Sequence, residues 1–251
     1  MNFSNSSPSP NFPSGSLTNR GRTAATQVRP LLLVLVGVVG CTRSYVLAPP
    51  DGAMLPPPPD GGLVADAGPK CTVASAVDLL FMIDNSNSMA EEQASLAVQF
   101  PHLVDVLTTG DRNGDGRADV LPVRDLHVGV VTSDMGNGGF PVPTCATTFG
   151  DDGILLTRGN TAMAGCMATY PPYIAFMPPG DVGQLSADFA CVARVGTGGC
   201  GFEQPLESVL KALTPSSSPI TFGMGTVGHA DRENSGFVRP DSLLAAVVVT
   251  D

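Results

Sequence analysis

The sequence is poor in basic and aromatic side chains. It has 251 residues but no tryptophan, three histidines and only two lysines, Lys70 and Lys211, and its formal net charge is −10. Nucleic acids and anionic lipid surfaces both attract basic proteins, so this balance argues against binding to either. A G-x-S-x-G elbow is also absent, which argues against a serine hydrolase. Because no histidine stands in a recognisable catalytic setting, we do not predict an enzyme.

An apolar run long enough to form a membrane-spanning helix is missing from the N-terminal region. The run at residues 31–39 is shorter than the roughly 20 residues that a bilayer requires, but it suits the core of a signal peptide. Residues 38–41, Val-Val-Gly-Cys, resemble a bacterial lipobox, in which the cysteine becomes lipidated. We therefore predict a lipoprotein signal peptide at residues 1–40 and lipidation at Cys41. An ordinary secretory signal with a coincidental cysteine is the alternative.

A segment rich in proline and glycine follows at residues 41–76. Such a composition buries too little apolar surface to order itself, so we predict a tether between the lipid anchor and a folded domain at residues 77–251. Thr42 follows the lipidated cysteine where an aspartate would favour retention at the inner membrane. By this resemblance we expect an exported protein, anchored to the bacterial cell envelope at the outer membrane.

The predicted domain alternates strands with helices. Nearly continuous apolar runs predict buried strands, and apolar residues at helical spacing predict helices. Strands alternating with helices indicate an α/β fold with a mostly parallel sheet flanked by helices. We expect Pro101 to kink or divide the first helix, and Leu206, Val209, Leu210 and Leu213 to form the buried face of the second. The predicted order is strand 77–83, helix 89–107, strand 125–131, helix 203–213 and strand 243–249.

Oxygen-bearing side chains follow the first predicted strand at alternate positions. Asp84, Ser86 and Ser88 stand between the strand and the first helix, at the edge of the sheet where α/β folds bind ligands. Carboxylate and hydroxyl oxygens are ligands for hard divalent cations such as Mg²⁺. The alternative is a helix start, since Ser88 and Glu91 form the S-x-x-E pattern of a capping box.

The Asp-x-Ser-x-Ser pattern after an apolar strand resembles the metal-ion-dependent adhesion site of von Willebrand factor A (vWA) domains. The resemblance implies a vWA-like, Rossmann-like fold in which Ser86 and Ser88 bind Mg²⁺ or Mn²⁺ directly, with Asp84 close by. It also implies that a protein partner offers a carboxylate to the metal. Two further loops should contribute ligands, a threonine before a helix and an acid after a strand. Thr197 and Asp251 are the candidates, and Glu203 is an alternative oxygen ligand nearer the helix.

A long insert, residues 134–201, separates the second strand from the second helix and holds four cysteines. In an exported protein we expect disulfides, and we favour the local pairs Cys145–Cys166 and Cys191–Cys200. The spacings are not C-x-x-C, so zinc is not expected. The aromatic residues of the insert could form a partner-contact patch or pack the insert onto the sheet; they are Tyr170, Tyr173 and Phe176.

A second loop has the spacing of a calcium site. Oxygen side chains at alternate positions, with a glycine at position six, match the start of an EF-hand loop, but Pro122 stands where the last acid is expected. A bound Ca²⁺ of structural role is one interpretation, and an Asp/Asn/Gly turn is the other. The residues at the ligand positions of this loop are Asp111, Asn113, Asp115, Arg117 and Asp119.

We therefore expect a lipid-anchored, metal-dependent protein-binding module for adhesion or scaffolding. A calcium-stabilised structural envelope lipoprotein is the main alternative. A phosphatase or phosphotransferase with Asp84 as nucleophile is a weaker one, because such enzymes need a second aspartate where Ser86 stands.

We also expect the chain to be truncated. It stops at Asp251, whereas vWA-like domains continue with further strands and helices. Two disulfides in the insert would leave Cys71 over, so its partner is expected in the missing segment. A free Cys71 in a mobile tether is the alternative.

Overall fold

The computed structural model describes residues 75–145 and 147–251, together with the backbone of residues 34–37. Cys41, Cys71 and the tether up to residue 74 lie outside the described residues, as does the predicted signal peptide apart from those four backbone positions. The predictions made for them stay predictions. Among the residues that are described, no helix has both the length and the apolar character needed to cross a membrane.

The domain is a mixed α/β fold built on a mostly parallel sheet. Strands β2, β3 and β5 run parallel, with β2 between the other two, and β4 pairs antiparallel with β3 at one edge. The backbone of β1 pairs antiparallel with the outer side of β5. The strands are β1 Val34–Gly37, β2 Ala76–Ile83, β3 Asp125–Thr132, β4 Tyr173–Phe176 and β5 Leu243–Val249.

The register brings the carboxyl ends of the three parallel strands level with one another. Ile83, the last residue of β2, lies opposite Thr132 on β3 and Val249 on β5. The next residues of the three strands therefore meet at one edge of the sheet.

Helices cover both faces of the sheet. Helix α1, Ala90–Thr109, and helix α2, Val182–Ala193, cover one face, where their phenylalanines pack against Phe81 of β2. The ring centroids of Phe81 and Phe100 are 5.6 Å apart, and those of Phe100 and Phe189 are 3.6 Å apart. Helix α3, Pro205–Leu213, packs on the opposite face. There Gly129 of β3 admits Leu155 and Phe237, since a Cβ would lie 2.7 and 2.9 Å from their side chains.

Of the two predicted effects of Pro101, a kink or a division of the first helix, the division is wrong. Helix α1 runs through Pro101 without interruption and ends at Gly110, whose positive φ of 75° is the left-handed cap that glycine favours. Because Leu96, Phe100 and Val104 are buried on one face, packing against the sheet compensates for the backbone hydrogen bond that proline cannot donate.

The predicted apolar face of the second helix is buried only in part, because Val209 and Leu213 pack against the core but the other two residues do not. Leu206 and Leu210 of α3 are 74% and 46% exposed, whereas Lys211 and Ala212 are almost completely buried. Lys211 reaches the interior because its ammonium group pairs with Asp152 of the insert. The spacing of apolar residues along the helix cannot predict such an ion pair. The helix therefore turns Lys211 and Ala212 toward the interior and leaves Leu206 and Leu210 exposed.

The insert is more ordered than a long irregular loop. It contributes β4 and α2, and it is held by two disulfides. Tyr170 and Phe176 are buried, while Tyr173 packs beside the core of the α3 face, which favours the interpretation that these aromatics pack the insert onto the sheet. His127 of β3 stacks on Tyr173 at 4.4 Å and is likewise a packed strand residue.

All four cysteines of the insert form disulfides, but the predicted pairing is wrong. The structure pairs Cys145 with Cys200 and Cys166 with Cys191, at Cα separations of 4.2 and 5.5 Å. Proximity along the chain favours local pairs, whereas the fold carries Cys191 into helix α2. The closing loop before α3 brings Cys200 back beside Cys145 instead.

Candidate metal centre

Asp84 is buried at the carboxyl edge of the sheet, where the three parallel strands end. It directly follows β2, and its backbone N–H donates to the carbonyl of Val249 at 2.9 Å. Its Oδ1 accepts hydrogen bonds from the Ser86 N–H and the Ser133 hydroxyl, each at 2.8 Å. The Thr250 hydroxyl donates to Oδ2 at 3.0 Å. These donors fix the orientation of a carboxylate that is fully buried.

Ser86 and Ser88 lie beside one another, as the metal-binding pattern requires. Their Oγ atoms are 3.4 Å apart, and Ser86 is buried while Ser88 is exposed. The capping-box alternative does not fit, because the helix is capped by Met89 and the cap makes no side-chain hydrogen bond. The two hydroxyl groups are therefore not engaged in starting the helix.

Two more carboxylates approach Asp84 from other parts of the chain. Oxygen atoms of Asp84, Glu203 and Asp251 all lie within 4.8 Å of one another. Asp251 follows β5, and Glu203 stands two residues before α3. Within the described residues this is the one group of three or more acidic, histidine or cysteine side chains so closely placed.

In the part of the chain that the structure describes, no basic side chain forms an ion pair with this cluster. Within residues 75–145 and 147–251, none of the ion pairs includes Asp84, Glu203 or Asp251. Partial burial of the carboxyl group raises the pKa of Glu203, and its contact with Asp84 and the charges of Asp84 and Asp251 raise it further, against a hydrogen bond from Ser86. Closely spaced like charges of this kind favour a bound cation.

The loop before α3, predicted to be the second metal loop, brings Glu203 to the cluster. Thr197 lies six residues earlier in the same loop and is half-buried. Its assignment as a ligand stays a prediction, whereas the carboxylate of Glu203 lies beside Asp84 and Asp251. The sequence leaves open whether Thr197 or Glu203 serves this loop, and Glu203 is the residue nearer the helix.

The sequence analysis missed the residues that join the loop after β2 to the loop before α3. Gln93 of α1 donates to the carbonyl oxygens of Asp84 at 3.0 Å and of Gly196 at 2.8 Å, and it accepts from the Gly196 N–H at 3.2 Å. The Gly199 N–H donates to the Asn85 carbonyl at 2.9 Å, and a Cβ at Gly199 would overlap the Asn85 side chain. A polar residue on the buried face of an amphipathic helix was the available signal for Gln93.

The predicted calcium loop is an exposed turn organised by its own carboxylates. Asp111 accepts backbone N–H groups from Gly114 and Gly116, each at 2.7 Å, and these bonds favour its ionised form. Among them the Gly116 bond is the largest cause of the lowered pKa of Asp111. Asp115 accepts from the Arg117 N–H at 2.9 Å and Asp119 from the Arg112 N–H at 3.0 Å. This pattern matches the Asx-turn interpretation, and a bound Ca²⁺ stays a prediction.

The donor set at the sheet edge fits a hard divalent cation. Carboxylates and hydroxyls are the ligands of Mg²⁺, Mn²⁺ and Ca²⁺, whereas sites for zinc or copper use histidine and cysteine. Cys200, three residues before Glu203, is joined to Cys145 in a disulfide and has no free thiol to offer. In comparisons with known proteins, no family model matches this chain, and neither a curated protein nor a solved structure matches it.

Proposed function

We propose that this chain is a divalent-metal-dependent protein-binding module with a vWA-like fold. The observation that carries the proposal is the convergence of Asp84, Glu203 and Asp251 at the carboxyl edge of the parallel sheet, without a compensating cation in the described residues. The sheet order supports it, because β2 lies between β3 and β5 and ends directly at Asp84.

Five residues of the chain would hold the metal. Asp84, Glu203 and Asp251 supply negative charge, and Ser86 and Ser88 supply neutral oxygens. When bound, the metal ion offers a position to an oxygen ligand from outside the chain, such as a carboxylate of a protein partner. Ser133 and Thr250 do not need to touch the ion, because their hydroxyls are used to orient Asp84.

Binding is a better proposal than catalysis for this cluster. A phosphoryl-accepting aspartate would need a second acid at position 86, where the chain has a serine. Asp84 is also fully buried and accepts three hydrogen bonds, so it is not presented as a nucleophile. The exposed members of the cluster, Ser88, Glu203 and Asp251, form a surface that a protein partner can reach.

The direct experiment is calorimetric titration with Mg²⁺ and with Mn²⁺. The wild type should bind, and the Ser86→Ala/Ser88→Ala variant should lose most of its affinity because both neutral ligands are gone. Ser217→Ala/Ser235→Ala is a matched control, since both serines are exposed and distant in sequence from the cluster. Equal affinity in the wild type and the Ser86/Ser88 variant would refute the proposal.

We place this module at the bacterial cell envelope, tethered through a lipid on Cys41. The lipobox resemblance and the proline-rich segment after it support this placement. Palmitate labelling of cells that express wild type and Cys41→Ser would test it. Membrane association that survives in the Cys41→Ser variant would contradict the anchor, and it would leave the metal proposal untouched.

A further inference from the structure

We infer that Glu203 acts as an internal competitor for the partner's carboxylate at the proposed metal centre. The inference rests on the proposed function. It means that Glu203 controls whether a partner's carboxylate can reach the metal. It follows from the position of this side chain, its attachment to the fold and the charge it adds.

Glu203 brings its own carboxylate to the place where an external one would have to enter. Its carboxylate oxygen lies within 4.8 Å of those of Asp84 and Asp251. Asp84 is fully buried, so any partner must approach from the exposed side of the cluster. Glu203 lies on that exposed side.

The backbone around Glu203 is fixed on both sides. Cys200 is bonded to Cys145, the Gln204 N–H donates to the Ser133 carbonyl at 3.0 Å, and α3 begins at Pro205. The root of the side chain is therefore held in place. Because the residue is exposed and a glutamate side chain has several rotatable bonds, the carboxylate can leave the cluster by side-chain rotation alone.

The charge count places the two carboxylates in competition for the ion. With Glu203 in place, three negative side chains surround one divalent ion, and the centre is already negative overall. A partner's carboxylate would then enter against like charge. With Glu203 rotated outward, Asp84 and Asp251 balance the ion, and the incoming carboxylate meets a neutral centre. Partner binding is thus coupled to the displacement of Glu203.

The test uses the full chain loaded with Mn²⁺, with acetate as the carboxylate probe. Water-proton relaxation counts the exchangeable waters on bound Mn²⁺, and acetate titration measures how readily a carboxylate displaces them. The variants are Glu203→Ala, which removes the side chain, and Glu203→Gln, which removes only its charge. Glu207→Ala and Glu207→Gln are matched controls, because Glu207 lies one turn further along and outside the acidic group.

We expect Glu203→Ala to gain one exchangeable water on Mn²⁺ relative to the wild type. Mn²⁺ affinity should fall by about tenfold or more, since cation affinity follows the charge count of the ligands. Acetate should bind the Mn²⁺-loaded Glu203→Ala and Glu203→Gln variants about tenfold more tightly than it binds the wild type, because a nearby like charge is removed. The Glu207 variants should behave as the wild type.

Two results would overturn the inference. If wild type binds Mn²⁺ but the Glu203 variants show the same water count and the same acetate affinity, Glu203 does not occupy the position, while the proposed function stands. If the wild type does not bind Mn²⁺ at all, both the inference and the proposed function fail.

Discussion

The hydroxyl of Ser133 donates a 2.8 Å hydrogen bond to Oδ1 of Asp84, and this bond joins the carboxyl ends of the neighbouring strands β3 and β2. Both residues are fully buried. The backbone carbonyl of Ser133 also accepts from the Gln204 N–H, which anchors the loop that carries Glu203. Ser133 therefore positions two of the three carboxylates of the candidate metal centre.

Ser133→Ala should lower both stability and metal affinity. The substitution removes one of the three donors to Asp84, and a hydrogen bond to a charged group contributes about 1.5–3 kcal/mol. Urea unfolding and Mg²⁺ calorimetry would measure the two effects, with Ser217→Ala as the surface control. Ser133→Thr keeps the hydroxyl group and should retain more of the affinity. An alanine variant with unchanged stability and unchanged Mg²⁺ binding would contradict this role.

The two disulfides should differ in their effect on metal binding. Cys145–Cys200 holds the loop that leads to Glu203, whereas Cys166–Cys191 ties an earlier part of the insert to α2 on one face of the sheet. Replacing both cysteines of either pair by serine should destabilise the fold by about 2–4 kcal/mol, as is usual for disulfides.

Only the Cys145→Ser/Cys200→Ser variant should also bind Mg²⁺ more weakly, because it frees the loop before Glu203. The Cys166→Ser/Cys191→Ser variant is the matched control, and both are compared at a temperature at which each is folded. Equal losses of Mg²⁺ affinity in the two variants would show that the effect is a general loosening of the domain.

The central strands could be predicted from the sequence, and so could the approach of Asp84 to Asp251. One physical reason, the burial of the parallel strands on both faces, explains both. A strand buried on both faces must be almost wholly apolar, so β2, β3 and β5 stand out within one residue of their observed ends. Polar residues placed directly after such strands must then meet at one edge. Asp84 and Asp251 can therefore be placed close together from the sequence alone, without any knowledge of the loops.

The insert was harder to predict because its elements are short and surrounded by glycine and proline. Strand β4 has four residues, and its pairing with β3 depends on tertiary contact. Helix α2 does carry a signal in Leu185, Phe189 and Val192 at helical spacing, after the cap residue Asp181. Disulfide pairing could not be derived from spacing, since it depends on where the fold brings each cysteine.

Helix α3 offers a direct contrast between a buried charge and an exposed leucine. The Lys211 ammonium donates to Asp152 Oδ1 at 2.5 Å and to the Thr226 hydroxyl at 2.8 Å, although its side chain is only 1% exposed. Leu206, in the first turn of the same helix, is 74% exposed. In this helix we therefore expect the buried, paired lysine to contribute more to the stability of the fold than the exposed leucine.

Lys211→Met should destabilise the domain by about 3 kcal/mol, since removing one partner of a buried pair leaves Asp152 with His229 as its only charged partner among the described residues. Leu206→Ala should change the free energy of unfolding by no more than about 0.5 kcal/mol, as is typical of exposed positions. Urea unfolding of both variants and wild type would check this. A larger loss for Leu206→Ala than for Lys211→Met would support the original prediction of an apolar buried face.

His229 extends this ion pair into a network with a defined pH dependence. Its Nε2 lies 3.0 Å from Asp152 Oδ2, and its Nδ1 lies 2.6 Å from Glu233 Oε2. The bond to Asp152, more than any other contact, raises the pKa of His229 above its usual 6.5. The hydrogen bonds of His229 and Lys211 lower the pKa of Asp152 despite its partial burial, and His229 lowers that of Glu233.

The stability that this network contributes should therefore be greatest between about pH 5 and 6.5. A raised histidine pKa stabilises the fold fully below the pKa of the unfolded chain, and the contribution is lost as pH rises through the folded value. The lowered carboxyl pKa values act in the opposite direction, so their contribution is lost in acid. Urea unfolding of wild type and His229→Gln should show a stability difference that is largest near pH 5.5 and shrinks toward about pH 8.5. His102→Gln, at an exposed position of α1, is the control and should show no such trend. A difference between wild type and His229→Gln that grows with rising pH would show that protonated His229 does not stabilise the fold.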